Sequence, residues 1–174
     1  MLERNFLRAQ EQVQEQVQER KSIIDKIIIK IMEYGWVMKR REDKILAYFD
    51  MWLSKDISGI EGIFEENVLY SESYGPEYHG LDQVKKWFAN WCIHATVLEW
   101  NVKQFISQDK VTVAEWYFEC NYDGVIYGFD GASIIEFNEN GKISSIKEFK
   151  SKQEHNSPYT KVQDSAVLNK KSLR

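Results

Sequence analysis

Apolar residues in the first part of the chain recur at three- to four-residue steps: Phe6, Ala9, Val13, Val17, Ile24, Ile28 and Ile31, with a polar gap around Arg20. That spacing predicts a helix over residues 2–34, uninterrupted by proline and stopped at Gly35. A surface helix or a pair of helices is the reading. A partner-binding or self-associating coil is the alternative, although the apolar positions drift from strict heptads. Met38 to Asp43 is a charged junction, and a second helix follows over Lys44 to Lys55 with Ile45, Tyr48, Phe49 and Trp52 on one face. Asp56-Ile57-Ser58-Gly59 is a turn, and Ile60, Ile63 and Phe64 mark a short third helix. Val68 to Tyr74 alternates as a strand, ended by Gly75-Pro76. His79-Gly80 then leads into a helix from Leu81 to about Cys92.

Beyond that point the period changes from helical to alternating. Val97–Ser107, Val111–Tyr122, Val125–Phe137 and Ile143–Lys150 predict four strands. They are separated by Gln108-Asp109-Lys110, by the hairpin signal Asp123-Gly124, and by Asn138-Glu139-Asn140-Gly141. Helices, one strand, a helix and then four strands joined by tight turns predict an α+β domain, a curved antiparallel sheet with helices on one face. The chain divides into an N-terminal helical extension (1–41), the domain (42–150) and a polar tail (151–174).

Charge sharpens that division. Residues 1–41 hold nine basic against six acidic residues, residues 42–150 nine against nineteen, and the tail five against two. Twenty of the 24 aromatic residues also lie in the middle segment. A pocket within it therefore favours neutral or cationic small molecules over phosphorylated ones. Too few basic residues are present there for a nucleic-acid track. Cys92 and Cys120 read as buried apolar residues rather than a disulfide framework. The Gln/Glu-rich start is not a secretory signal, and the charged residues within Ile23–Met32 keep it from spanning a bilayer; the expected location is the cytoplasm, without membrane attachment.

Four motifs in order carry a family resemblance: Trp52-Leu53-Ser54-Lys55-Asp56-Ile57, then Ile60 to Val68, then Tyr78-His79-Gly80-Leu81-Asp82-Gln83-Val84, then Phe137-Asn138-Glu139-Asn140-Gly141-Lys142-Ile143. Over about residues 42–150 the chain resembles the NTF2-like superfamily, and within it the SnoaL-like group, whose relatives include the ketosteroid isomerases. The resemblance implies a cone, in which a bent sheet wraps around helices and a hydrophobic pocket opens at the wide end. It also implies homodimers formed through the outer face of the sheet. The scaffold hosts enzymes, binders and transport factors, so fold alone assigns no chemistry.

Laid against the ketosteroid isomerases, the sequence places Tyr48 at their hydrogen-bond-donating tyrosine and Glu72 at their carboxylate base. Moving a proton between carbons needs such a base, and the enolate oxygen needs a donor. The third member departs from the pattern, since Ser133 stands where those enzymes have a protonated acid. Glu72 shares its alternating face with Tyr70 and Tyr74, so an inward-facing strand would raise its pKa. By the same alignment Ala114, Trp116 and Phe118 face inward, as do Ile146, Glu148 and Lys150. Glu148 is either a second pocket carboxylate or paired with Lys150 or Lys147. Tyr48 also fits a core tyrosine, and His79 a surface loop histidine near the expected mouth. Trp52, Trp87, Trp91 and Trp100 read mainly as core, with one or two touching ligand. His79, His94 and His155 lack metal-ligand spacing, and no phosphate loop or nucleophile motif occurs, so no cofactor or metal is expected. The functional expectation is a SnoaL-like small-molecule protein, acting either as an isomerase-, cyclase- or hydratase-type acid–base enzyme or as a non-catalytic binder or dimerisation module.

Overall fold

A computed structural model describes residues 2–152 of the 174-residue chain. The polar tail beyond Lys152, with His155 and Asn156-Ser157-Pro158, lies outside the described residues, as do the side chains of Phe6 and Ala9. The elements are α1 (Leu2–Ser54), α2 (Ile60–Ile63), β1 (Phe64–Ser71), β2 (Glu77–His79), α3 (Leu81–His94), β3 (Ala95–Gln108), β4 (Val111–Tyr122), β5 (Val125–Phe137) and β6 (Ile143–Lys150).

The expected break at Gly35 and the junction over Met38–Asp43 are corrected, because α1 is one helix of 53 residues. A single interior glycine costs only ~1 kcal/mol. Flanking pairs one turn apart offset part of that cost: Lys39 bridges Asp43 at 2.8 Å, and the Arg40 guanidinium sits 5.2 Å from the centre of the Trp36 ring. The helix ends where Lys55 takes a left-handed conformation (φ 54°) and Asp56 N–H returns to the Met51 carbonyl at 3.1 Å. Only its last turns join the domain. Ile45, Tyr48, Phe49 and Trp52 are buried there, and Phe49 stacks on Trp100 with ring centres 4.0 Å apart. Arg41 and Lys44 fasten the entry by donating to the carbonyls of Asp109 and Gly141. Every described side chain from Leu7 to Val37 is exposed.

The sheet has six strands in the order β2-β1-β6-β5-β4-β3. All neighbours are antiparallel except β1 and β6, which run parallel. Register shifts in β3 between Val97 and Glu99 and between Val102 and Gln104 bend the sheet around the end of α1 and around α3. The Asp123-Gly124 turn has positive φ at both residues (47° and 87°), so Tyr122 pairs with Val125 as the dipeptide predicts. The strand expected over Val68–Tyr74 is displaced: β1 runs from Phe64 to Ser71, and Glu72–Pro76 form a turn closed by the Glu72 N–H on the Pro76 carbonyl at 2.9 Å. The architecture is α+β, with a curved open sheet wrapped around helices and a long N-terminal helix.

One glycine decides the packing of the concave face. Gly131 pairs directly with Trp116 across β4 and β5, and a Cβ there would overlap the Trp116 ring and approach the Phe149 carbonyl to 2.7 Å. Gly131→Ala is expected to lower stability by about 1–3 kcal/mol through overpacking. A denaturant titration reads this directly, and an unchanged midpoint would show that Trp116 has room to move.

Candidate functional site

The concave face of the sheet, the end of α1 and α3 enclose a cavity of about 560 Å3. Alternation along β4 sends Trp116, Phe118 and Cys120 inward, while α1 supplies Trp52 and α3 supplies Trp87 and Trp91. Trp100 of β3 and Phe129 of β5 complete the aromatic wall. Three side chains able to carry a full charge at neutral pH enter this largely apolar cavity: Glu72 from the β1–β2 turn, and Glu148 and Lys150 from β6. A concave apolar site with a few convergent polar groups is the general form of a small-molecule pocket.

Glu148 is held by a defined network. Its Oε1 accepts from the Tyr70 hydroxyl at 2.7 Å and from Ser133 Oγ at 3.4 Å. Ser133 in turn accepts from the Trp116 indole N–H at 2.9 Å. Parity explains the assembly, because Ser133 and Glu148 pair across β5 and β6 while Ser133 pairs with Ala114 of β4. Burial pushes the Glu148 carboxyl up to about 7, and the Tyr70 and Ser133 hydroxyls oppose that rise by stabilising its anion. Glu72 is pushed up to about 8, by burial first and by the neighbouring Glu148 charge second; the Ser73 N–H and Lys150 pull the other way. Lys150 lies over the rings of Tyr74 and Phe129, 5.9 and 5.8 Å from their centres. Both carboxyls are thus raised, and the charge of Glu148 adds to the rise at Glu72.

A family profile described as the SnoaL-like domain matches residues 45–146, more than half of the chain. The chain belongs to the SnoaL-like domain family. Solved structures repeat the fold. An LEH-like epoxide hydrolase of M. tuberculosis superimposes with a TM-score of 0.59 at 9% identity, covering 65% of this chain and 84% of that one. A protein of Catenulispora acidiphila with a ketosteroid isomerase-like fold, solved with trimethylamine, gives 0.56 at 14% identity over 62% and 85% of the two chains. An NTF2-like protein of unknown function from an Exiguobacterium species gives 0.55 at 18% identity over 62% and 98%. No protein of curated function matches the sequence significantly.

Within this SnoaL-like domain, the residues singled out from sequence divide into three groups. Glu72, Glu148, Trp52, Tyr74, Trp116 and Phe118 all line the cavity. Ser133 is fully buried behind the wall and reaches the cavity through the lining residues Glu148 and Trp116. Tyr48 and His79 do not line it. Tyr48 packs in the core: Phe64 lies edge-on at 4.8 Å, and its hydroxyl points toward Tyr70 and Trp52 without forming a sound hydrogen bond. Its helix stripe faces the hydrophobic core, so the ring goes with the stripe. His79 is exposed on β2, where Nε2 meets Glu77 at 3.0 Å and the backbone N–H donates to Gln83 at 2.9 Å. Neither Lys147 nor Lys150 forms an ion pair with Glu148 among the described residues; hydroxyl donors hold it instead.

Sequence reasoning did not find the role of Tyr70 as the anchor of Glu148, although it placed Tyr70 on the right face. It also missed Tyr127 and Phe129, whose signal was the alternation of β5 after the Asp123-Gly124 hairpin. Among the described residues no group of three or more His, Cys, Asp or Glu is placed to hold a metal ion, and no helix is long and apolar enough to cross a membrane.

Proposed function

We propose that the cavity binds a neutral, largely apolar small molecule bearing a carbonyl or comparable oxygen, and that Glu72 and Glu148 move a proton on it as general acid and base. The observation that carries this reading is the pair of carboxyls in one aromatic cavity, one anchored by two hydroxyl donors and the other met by the Ser73 backbone N–H. Because Tyr70 and Ser133 donate to Glu148, it holds the negative charge, and Glu72 at the turn holds the proton near neutral pH. Glu72 then protonates a substrate oxygen while Glu148 accepts a proton from an acidified C–H or from a water. That exchange is the core of isomerisation, cyclisation and hydration chemistry. The aromatic walls fix the ring plane of the ligand. The pair's negative charge disfavours anionic substrates.

A second reading, a binder without turnover, is supported by the same charge inside aromatic walls, which suits a cationic amine. The trimethylamine held by the Catenulispora neighbour agrees with that chemistry. A thermal-shift screen of neutral polycyclic ketones, phenols and small cationic aromatics tests both readings, followed by NMR of each hit in D2O. For an enzyme, deuterium should enter beside the carbonyl of a bound ketone, and Glu72→Gln should slow this by about 10^2- to 10^4-fold. A hit bound tightly, returned unchanged and indifferent to Glu72→Gln would leave plain binding as the function.

A further inference from the structure

The exposed part of α1 has no role in the cavity, and its surface is that of an unfinished interface. Thirteen large apolar side chains between Leu7 and Val37 are at least 44% exposed. Those on the seam side of the helix amount to several hundred Å2, above the roughly 300–600 Å2 patch of an ordinary monomer and approaching the ~800 Å2 per partner of a stable interface. An isolated helix of this kind gains little from propensity alone and depends on packing of its apolar face.

We infer that a second copy of this chain packs on it, the two α1 helices running antiparallel over residues 13–38. Three observations select this occupant. First, Val13, Val17, Ile24, Ile27, Ile31 and Tyr34 follow four–three spacing with one polar interruption at Arg20, a continuous seam along the bare helix. Ile28, Ile29 and Met32 widen it beyond a strict heptad, so the sequence alone reads as drifting. Second, the same spacing runs on through Met38 into Ile45, Tyr48 and Trp52, which are buried against the domain. The domain therefore sits on the seam's own face at its C-terminal end. A parallel partner would bring its domain to the same place, whereas an antiparallel partner carries its domain to the opposite end, with residues 2–12 of each helix leaving the seam beside the other's domain. Third, within that overlap residues 13–25 hold three acidic and two basic residues, and residues 26–38 hold two basic and one acidic. Antiparallel packing sets the net-acidic half against the net-basic one; parallel packing would stack like on like.

The seam also gives a register: Val13 opposite Met38, Val17 opposite Tyr34, and Ile24 opposite Ile27, with a two-fold axis between Asp25 and Lys26. Such an isologous contact closes on itself and forms no fibres.

Sedimentation equilibrium of the full chain tests this against an Ile24→Glu/Ile27→Glu/Ile31→Glu variant, with near-UV circular dichroism reporting the domain. The expected result is that the variant has half the wild-type mass with an unchanged domain spectrum. That holds whether wild type is a dimer or, with a second contact through the sheet, a tetramer. Register is read in a Cys92→Ser/Cys120→Ala background. Val17→Cys chains mixed with Tyr34→Cys chains should form a disulfide-linked dimer on oxidation, and Tyr34→Cys chains alone should not. A monomeric wild type, equal masses for wild type and variant, or cross-linking of Tyr34→Cys chains to one another would overturn the proposal. So would a monomer captured by phosphatidylserine vesicles, which would assign the surface to a membrane.

Discussion

Glu148→Gln is expected to unfold at a higher denaturant concentration than wild type at pH 9 and to have lost whatever proton transfer the cavity performs. The sign follows from the direction of the two shifts. Both carboxyls are raised above their usual values, to about 7 for Glu148 and about 8 for Glu72. The folded protein therefore holds more protons than the unfolded chain between about pH 4.5 and pH 8. The favourable contribution is fully present below the unfolded value and is lost as pH rises through the folded values. At pH 9 the native protein carries both charges, Glu148 buried and Glu72 half-buried, and replacing Glu148 with a neutral amide also lets Glu72 ionise without its neighbour's repulsion. The amide oxygen of the variant would still accept from Tyr70 and Ser133, while its NH2 group gains no assured partner. The net gain at pH 9 is on the order of 1–3 kcal/mol, and near pH 5 it falls to about zero. Urea titrations at the two pH values measure this. Equal midpoints for wild type and variant at pH 9 would mean that Glu148 is not a buried charge. A gain in stability that accompanies loss of chemistry is the usual mark of a working site.

Trp52→Ala has the largest expected structural effect. The Trp52 side chain is 3% exposed and packs within ring-contact distance of Tyr48, Trp87, Phe88, Trp91 and Trp100, with centres 4.6 to 6.4 Å away. It joins the end of α1 to α3 and to the sheet, so no single neighbour can fill the space it leaves. Truncation should cost about 3–5 kcal/mol, a large part of the ~5–15 kcal/mol that holds a domain folded. The measurement is a denaturant titration, with retained far-UV signal confirming that α1 persists. A cost below about 1 kcal/mol would show that the aromatic layer is loosely packed and that the cavity is not a preformed enclosure. Trp52→Phe, which keeps an aromatic ring, should recover most of the loss.

The parts of the fold legible in the sequence are those with a local signature. Alternation and turn dipeptides located β4, β5 and β6 to the residue, and parity then placed Trp116, Phe118 and Glu148 on the concave face. What escaped depends on contacts far apart in the chain. The parallel pairing of β1 with β6 joins Tyr70 to Ile146, and no local pattern encodes it. That pairing brings Tyr70 within hydrogen-bonding reach of Glu148. The three-residue β2 is too short to show a period, and without it Glu72 read as a strand residue rather than the first position of a turn. Tyr48 was drawn toward catalysis by alignment, yet its place on an apolar stripe already pointed to the core. Gly35 carried the ordinary signal of a helix stop, and good helix formers on both sides overrode it.

The raised pKa of both carboxyls in one cavity is the claim on which the rest depends. Carbon-13 NMR of the protein labelled at glutamate Cδ, titrated from about pH 4 to pH 10, observes those pKa values directly. Two glutamate resonances should titrate well above the others, near 7 and 8, and in Glu148→Gln the remaining one, from Glu72, should move down toward the ordinary carboxylate range. If every glutamate instead titrates near about 4.5, the pair is solvated, and neither the acid–base reading nor the alkaline loss of stability survives.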